Sequence, residues 1–247
     1  MENNELIKRA EDLRARCERS ASVTHTSFLT PAERVQVENW AKYRADCRVH
    51  FFGGDPDCER TVAFFLPDWM EDAPDLSDEI CAIRLTAYFG TPGHRDYLGA
   101  VLGMGIGREW LGDIRIFEKT AYLFCLPSVQ RHLLSIDKVG RVSVKAESAA
   151  LSEVPAEKRK TESRSFSVMS LRLDAVLAGL FHLSRTEAAR QITAGNVSVN
   201  YQETLKTDYP IREGDILSLR GAGKGRITGT GGTSRKGRLF VYAEVYQ

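Results

Sequence analysis

The sequence predicts an α+β protein built from more than one domain. Three observations carry that expectation. The N-terminal stretch repeats apolar residues at helical spacing. The middle alternates β-prone runs with turn chemistry. The last third reads as a short helix–helix–strand unit of distinct charge. A chain of 247 residues accommodates one large domain or two to three small ones. Apolar residues make up 43%, near the globular norm, so a buried core is expected.

Leu6, Ala10, Leu13 and Cys17 recur three or four residues apart between charges, which predicts a first helix. A second begins at Thr30, which can cap free amides. Pro31 suits the first helical position and Glu33 completes a capping box. Val35, Val37, Trp40 and Ala41 give this helix a broad apolar stripe. Strands are expected at 49–52 and 61–66, separated by the Gly53-Gly54-Asp55-Pro56-Asp57 turn. In the run 80–89, Ile83, Leu85 and Ala87 alternate against Arg84, Thr86 and Tyr88, again a strand. A helix over 95–104 follows, then a strand pair at 114–117 and 121–126. Ser128 is placed to cap a helix carrying Val129, Leu133 and Ile136, and a strand is expected at 142–146.

The stretch 157–165 has no apolar residue and reads as a linker or an exposed strand edge. It divides the charge. Residues 1–169 carry 23 basic and 26 acidic side chains, whereas residues 170–247 carry 11 and 7. The overall +1 therefore conceals a basic C-terminal module behind an acidic two-thirds. The expected organisation is a helical segment with a β-hairpin (1–75), a central α+β domain (76–165) and the basic module (166–247).

Several chemistries fail on spacing. His94-Arg95-Asp96 copies the tripeptide of a kinase catalytic loop, but Val101 stands where that loop needs Asn. Neither Gly103-Met104-Gly105-Ile106-Gly107 nor Gly221-Ala222-Gly223-Lys224-Gly225 has a nucleotide-cradle spacing. The five histidines and five dispersed cysteines show no zinc-ligand spacing. No catalytic residue, metal, cofactor or small-molecule substrate is expected. No membrane span or secretory signal is visible, and the cysteines read as reduced thiols, so the expected location is cytoplasmic. The Gly-rich stretch 93–113 leaves two readings open. Gly99, Gly103 and Gly105 let a helix pack closely on a sheet, or the segment presents His94, Arg95 and Arg108 to phosphate.

In the basic module, 171–178 predicts an amphipathic helix after Ser170. Ser184 starts a second, with Glu187 as its capping-box partner; Ala188 and Ile192 point inward, and Arg185 and Arg190 outward. Gly195 ends that helix. Val197 and Val199 begin a strand that turns at Asn200, and 216–219 forms another. The segment 221–237 reads as a flexible basic loop before a strand at 239–246.

Arg172-Leu173-Asp174, Ser184-Arg185, Ala188, Arg190, Gly195, Val197, Val199-Asn200 and Gly214-Asp215 together resemble the S4 RNA-binding domain, with Tyr201 where that pattern usually has Gly. The helix start at Ser184 and Thr186 offers amides to phosphate, with Arg172, Arg185 and Arg190 beside it. Asn200, Lys206, Arg220, Lys224 and Arg226 extend the candidate RNA surface; Asp174 is expected to hold an arginine or a helix end. Over nearly its full length the chain resembles the bacterial YlmH family, most clearly outside the S4 part at His94-Arg95-Asp96, Leu98-Gly99, Gly105-Ile106, Arg108 and Gly112-Asp113. That resemblance implies a non-enzymatic, ribosome-associated RNA-binding protein. Its implied partners are ribosomal RNA, tRNA or peptidyl-tRNA and the large ribosomal subunit, in quality control or rescue of stalled translation. Two alternatives stay open: an RNA-modifying enzyme, since Arg172-Leu173-Asp174 echoes pseudouridine synthases, and a cell-division-linked interaction protein.

Overall fold

The computed structural model describes residues 2–44, 47–70, 75–156, 161–234 and 237–246. The chain forms two compact units, Met1–Glu157 and Lys158–Gln247. The first four residues of the polar stretch, and residues 235 and 236, lie outside the described residues.

In the first unit, helix α1 (Glu2–Ser20) leads into strand β1 (Thr24–Leu29), helix α2 (Pro31–Lys42), and strands β2 (Arg48–Phe52) and β3 (Thr61–Leu66). The strands make an antiparallel sheet in the order β1-β3-β2. Thr30 accepts from the Glu33 amide while the Glu33 carboxylate accepts from Thr30 N, the reciprocal cap expected from the sequence. Ala10, Cys17, Val37, Trp40 and Ala41 pack with Ala63 and Phe65, so both helices cover one face of the sheet. Strand β1 escapes sequence reading because Thr24-His25-Thr26-Ser27 is polar. Its hydroxyls are internally bonded: Thr26 Oγ1 accepts from the Ala63 amide and Thr24 Oγ1 donates to Leu13 O.

The second sheet of this unit contains strands β4 (Cys81–Ala87), β5 (Leu111–Phe117), β6 (Thr120–Cys125), β7 (Lys138–Val139) and β8 (Val142–Ala149). Its order is β5-β6-β4-β8-β7, antiparallel throughout. Helices α3 (His94–Gly103) and α4 (Pro127–Leu133) cover one face: Tyr97, Val101 and Leu133 pack on Ile83, Leu85 and Leu123. On the other face, Ala82, Tyr122 and Phe124 meet Phe28, Val62 and Phe64 of the first sheet. The unit is therefore layered helix, sheet, sheet, helix, and the expected boundary near residue 75 falls between sheets that share an apolar layer. A polar clasp joins them. Buried Arg60 donates to the carbonyls of Phe28, Leu111 and Arg108, while the Asp113 carboxylate accepts from the Glu59 and Arg60 amides.

The second unit is a six-stranded antiparallel sheet with two helices on one face. Its elements are strand β9 (Thr161–Val168), helices α5 (Leu173–Leu180) and α6 (Arg185–Thr193), and strands β10 (Val197–Val199), β11 (Gln202–Glu203), β12 (Ile216–Leu219), β13 (Gly223–Thr233) and β14 (Leu239–Tyr246). The order is β11-β10-β12-β13-β14-β9. Thr161–Val168 is the outer strand, so that part of the polar stretch is a sheet edge. Leu173, Val176, Leu177, Leu180, Ala188 and Ile192 close on Val197, Leu217, Ile227, Val241 and Val245.

Four local expectations need correction. Helix α5 begins at Leu173, because Leu171 O accepts from the Ile211 amide and Arg172 bridges Pro210 in extended conformation. It is also buried nearly all round rather than amphipathic. Helix α4 is entered at Leu126 with Pro127 in its first turn, so Ser128 is not the cap. The 223–233 stretch is not a loop. It pairs with β12 on one side and β14 on the other, and Gly225 is needed because a side chain there would crowd Leu180 and the Glu244 carbonyl. Finally, no atom outside its own helix and chain neighbours lies within 4 Å of where a Cβ at Gly99 or Gly103 would sit, and the space at Gly105 is likewise open. The close-packing reading of these glycines therefore fails.

Close packing does occur at Gly179, where the Phe166 ring occupies the space a side chain would need. Gly179→Ala should destabilise the second unit by about 1–3 kcal/mol, since the ring has to move from a filled core. Chemical denaturation would read this as a lower midpoint at unchanged slope; an unshifted midpoint would contradict the packing.

Candidate nucleic-acid interface

The start of α5 is organised around one carboxylate. Asp174 is 7% exposed. Arg185 Nη2 donates to its Oδ2 at 2.7 Å and Arg172 Nε to its Oδ1 at 3.2 Å. Burial pushes this carboxyl up, but the hydrogen bonds from Arg185 and Arg172 outweigh it, leaving Asp174 below the ordinary carboxylate range. The expectation that Asp174 holds an arginine is met twice. The amides of Leu173 and Asp174 donate to Tyr209 O and Thr207 O, which brings the segment carrying Lys206 to the same helix end.

Helix α6 starts beside it. Ser184 accepts from the Glu187 amide, but the capping box is only half formed. The Glu187 carboxylate instead takes a two-pronged hydrogen bond from Arg190 (2.8 and 2.7 Å) and a third from Gln191. The Arg190 pairing, then Gln191, lowers Glu187 to about 2. Ser184, Arg185 and Thr186 are exposed, and the first amides of a helix have no intrahelical acceptor. The exposed helix start thus combines free donors, the positive end of the dipole and guanidinium forks, which is the chemistry of a phosphate site.

The structure gathers Arg172, Ser184, Arg185, Thr186 and Lys206 around these two helix starts, with Arg190 further along α6. Asn200 has a different setting. Its Nδ2 donates to Asp215 and its Oδ1 accepts from the Ile216 amide, fixing the turn between β10 and β11. That turn places both Asn200 and Tyr201 at positive φ, +49° and +65°. It is the geometry of a two-residue hairpin, which explains the usual Gly and makes Tyr201 a strained replacement. Arg220 follows β12 at the sheet's end, exposed. Lys224 and Arg226 lie on β13 and point away from the helices, because Gly225 and Ile227, which alternate with them, are buried.

In the first unit, His94 and Arg95 are exposed in the first turn of α3. Arg108 is half-buried in a 3₁₀ turn, Arg108–Trp110, and lines a cleft of about 660 Å³ with Arg9, Arg60 and the acidic Glu5 and Glu33. Neither His94 nor Arg95 lines it. Among the described residues, no cluster of three His, Cys, Asp or Glu side chains is placed to hold a metal ion. Burial pushes the Cys58 thiol up to about 12 and Cys125 higher still, which makes both poor nucleophiles. Among the described residues no helix is long and apolar enough to cross a membrane. Sequence reading missed buried Arg60 and Arg115, whose Nη2 reaches Asp55 at 2.8 Å, and the outward aromatic residues of β14. The last carried a signal in their alternation with Val241, Ala243 and Val245.

Because its folded-state pKa is depressed, Asp174 contributes stability that is fully present above the unfolded carboxyl value of about 3.9 and lost as pH falls through the folded value. Acid unfolding of wild type should steepen below about pH 4, and Asp174→Asn should remove that component. Identical acid profiles for the two proteins would exclude the clamp.

Comparison with known proteins adds three findings. Residues 72–153 match the family described as "Putative RNA-binding domain in YlmH", and residues 171–217 match the S4 domain. The ribosome-associated protein quality control protein P2 of Bacillus subtilis (strain 168) is 32% identical over 224 residues, 89% of this chain and 86% of that protein. A solved structure, cell division protein ylmH from Streptococcus pneumoniae, superposes with a TM-score of 0.55 at 21% identity. It covers 62% of this chain and 94% of that one, and shows a shared fold.

Proposed function

Since the chain belongs to the YlmH family of proteins with a C-terminal S4 domain, we propose that it is a non-enzymatic RNA-binding protein that associates with the ribosome. The observation that carries this reading is the cluster of Arg172, Arg185, Ser184, Thr186 and Lys206 at two adjacent helix starts, inside or flush against the S4 match. Phosphates of a folded RNA fit such a surface, because structured RNA is recognised by shape, phosphate and 2′-hydroxyl contacts rather than by buried base edges. Ribosomal RNA together with tRNA or peptidyl-tRNA on the large subunit is the proposed target, and quality control or rescue of stalled translation the proposed setting. The name of the Bacillus relative supports the ribosomal part of this reading. His94 and Arg95, exposed on α3 within the matched 72–153 segment, are a proposed second contact; Arg108, the third residue of that proposal, lines a cleft that neither of them lines. A cytoplasmic location follows from a ribosomal partner.

The pseudouridine-synthase reading is disfavoured by the state of Asp174. A catalytic carboxylate has to reach an extruded base, whereas this one is buried and gripped by two guanidinium groups.

Binding of purified chain to ribosomes should weaken steeply with salt. About five phosphate contacts give a log–log slope of roughly −3.5 to −4.5. Arg190→Ala with Lys206→Ala, neither of which holds Asp174, should reduce co-sedimentation and lower the slope by about 2, at unchanged circular dichroism. Salt-independent co-sedimentation, or full retention by the double variant, would refute the assigned surface.

A further inference from the structure

The helices of the second unit cover one face of its sheet; the other face carries a pattern that the S4 match, ending at residue 217, does not include. Along β14, Val241, Ala243 and Val245 point into the core while Phe240, Tyr242, Glu244 and Tyr246 point out. Phe240 is 39% and Tyr242 47% exposed. On neighbouring β13 the outward residues include Lys224 and Arg226, directly opposite Tyr246 and Glu244. On β9 they are hydroxyls: Thr161, Ser163, Ser165 and Ser167 stand opposite Tyr246, Glu244, Tyr242 and Phe240.

We propose that this open sheet face is a stacking platform for single-stranded RNA, separate from the helix-start surface. The inference rests on the reading that the chain binds RNA. Three features support that occupant over a bare solvent face. Alternate residues on a strand stand about 7 Å apart, so Phe240 and Tyr242 offer two successive ring faces on one side of the sheet. Tyr242 has a prepared bed: a side chain at Gly231 would meet its ring at 2.9 Å, so the glycine lets the ring lie down on β13. Cations flank the rings, with Lys224 Nζ 5.4 Å from the Tyr246 ring centroid and Arg226 exposed beside it, against Glu244 as the one acidic residue facing them from these three strands. Rings to stack bases, cations to follow phosphates and hydroxyls within reach of 2′-OH groups form the combination used to hold unpaired nucleotides.

The test measures anisotropy of a fluorescein-labelled oligouridylate, and separately of a labelled RNA stem-loop, with the full chain. Phe240→Ala with Tyr242→Ala should weaken oligouridylate binding about tenfold or more, while stem-loop binding stays as in wild type. Tyr242→Phe, which keeps the ring, should bind oligouridylate normally. Arg190→Ala with Lys206→Ala should show the reverse preference, losing the stem-loop and keeping the oligouridylate. An unchanged oligouridylate affinity in the Phe240→Ala, Tyr242→Ala pair overturns the platform. Stem-loop binding without oligouridylate binding sinks the platform and leaves the proposed function standing; loss of both ligands in wild type sinks both. Capture of an RNase-resistant protein partner that the alanine pair abolishes, with no oligouridylate binding, also overturns it.

Discussion

Asp174 cannot be buried and charged without partners, because an isolated carboxylate out of water costs several kcal/mol. Its two arginines therefore have to come to it, and their arrival fixes the architecture around it. Arg172 is drawn back along the first turn of α5, and Arg185 is pulled from the first turn of α6. The two helix starts are tied to one point, although the apolar contacts among Leu177, Ala188 and Ile192 alone would tolerate sliding. Once the starts are fixed, Thr207 and Tyr209 can satisfy the α5 amides, and the segment bearing Lys206 is anchored to the same spot. A constraint that begins as the solvation of one side chain ends as the placement of the exposed cations.

A parallel device operates in the first unit with the charges exchanged. There the buried cation is Arg60, and its partners are three backbone carbonyls, one at the end of β1 and two at the turn that leads into β5. Asp113 supplies the negative charge next door by binding the amides of residues 59 and 60. Apolar layers such as Phe28 on Phe124 give two facing sheets their adhesion, but little lateral register. A guanidinium with fixed donor directions supplies that register. In both units, then, hydrophobic burial brings elements together and a polar group with directional bonds decides where they stop.

Legibility in the sequence followed the range of the determining interaction. The α2 cap at Thr30 and the start of α6 at Ser184 were readable because cap and amide lie within three residues of each other. The alternation of Ile83, Leu85 and Ala87 was readable because a strand's faces are written in its own sequence. Strand β13 was not. Its glycines and threonines look like a loop, and only the remote partners Leu180 and Tyr242 reveal why side chains are missing at Gly225 and Gly231. The same holds for the site. The cations near Ser184 could be named from spacing, yet their coupling through Asp174, and the orientation of Lys224 and Arg226 away from them, depend on tertiary placement. Asn200 shows the limit from the other side: a polar residue in a basic module invites a binding role, while its carboxamide is engaged in shaping a turn.

Pairing Arg185 with Asp174 and Arg190 with Glu187 looks at first like a loss for the proposed phosphate surface. The geometry argues the opposite. A guanidinium has five N–H donors, and a carboxylate in side-on or forked contact uses one or two of them. Arg185 keeps 59% and Arg190 66% of its side chain in solvent, so donors remain for a second anion. Held by its carboxylate, each long side chain has already surrendered much of the rotamer freedom that a phosphate contact would otherwise have to freeze, a cost of about 0.5–1.5 kcal/mol per immobilised side chain. The acidic partners reduce the long-range field but sharpen the local one. A near-neutral chain can then still offer the proposed RNA surface, because forks already held in place bind phosphate at a lower ordering cost than free side chains do.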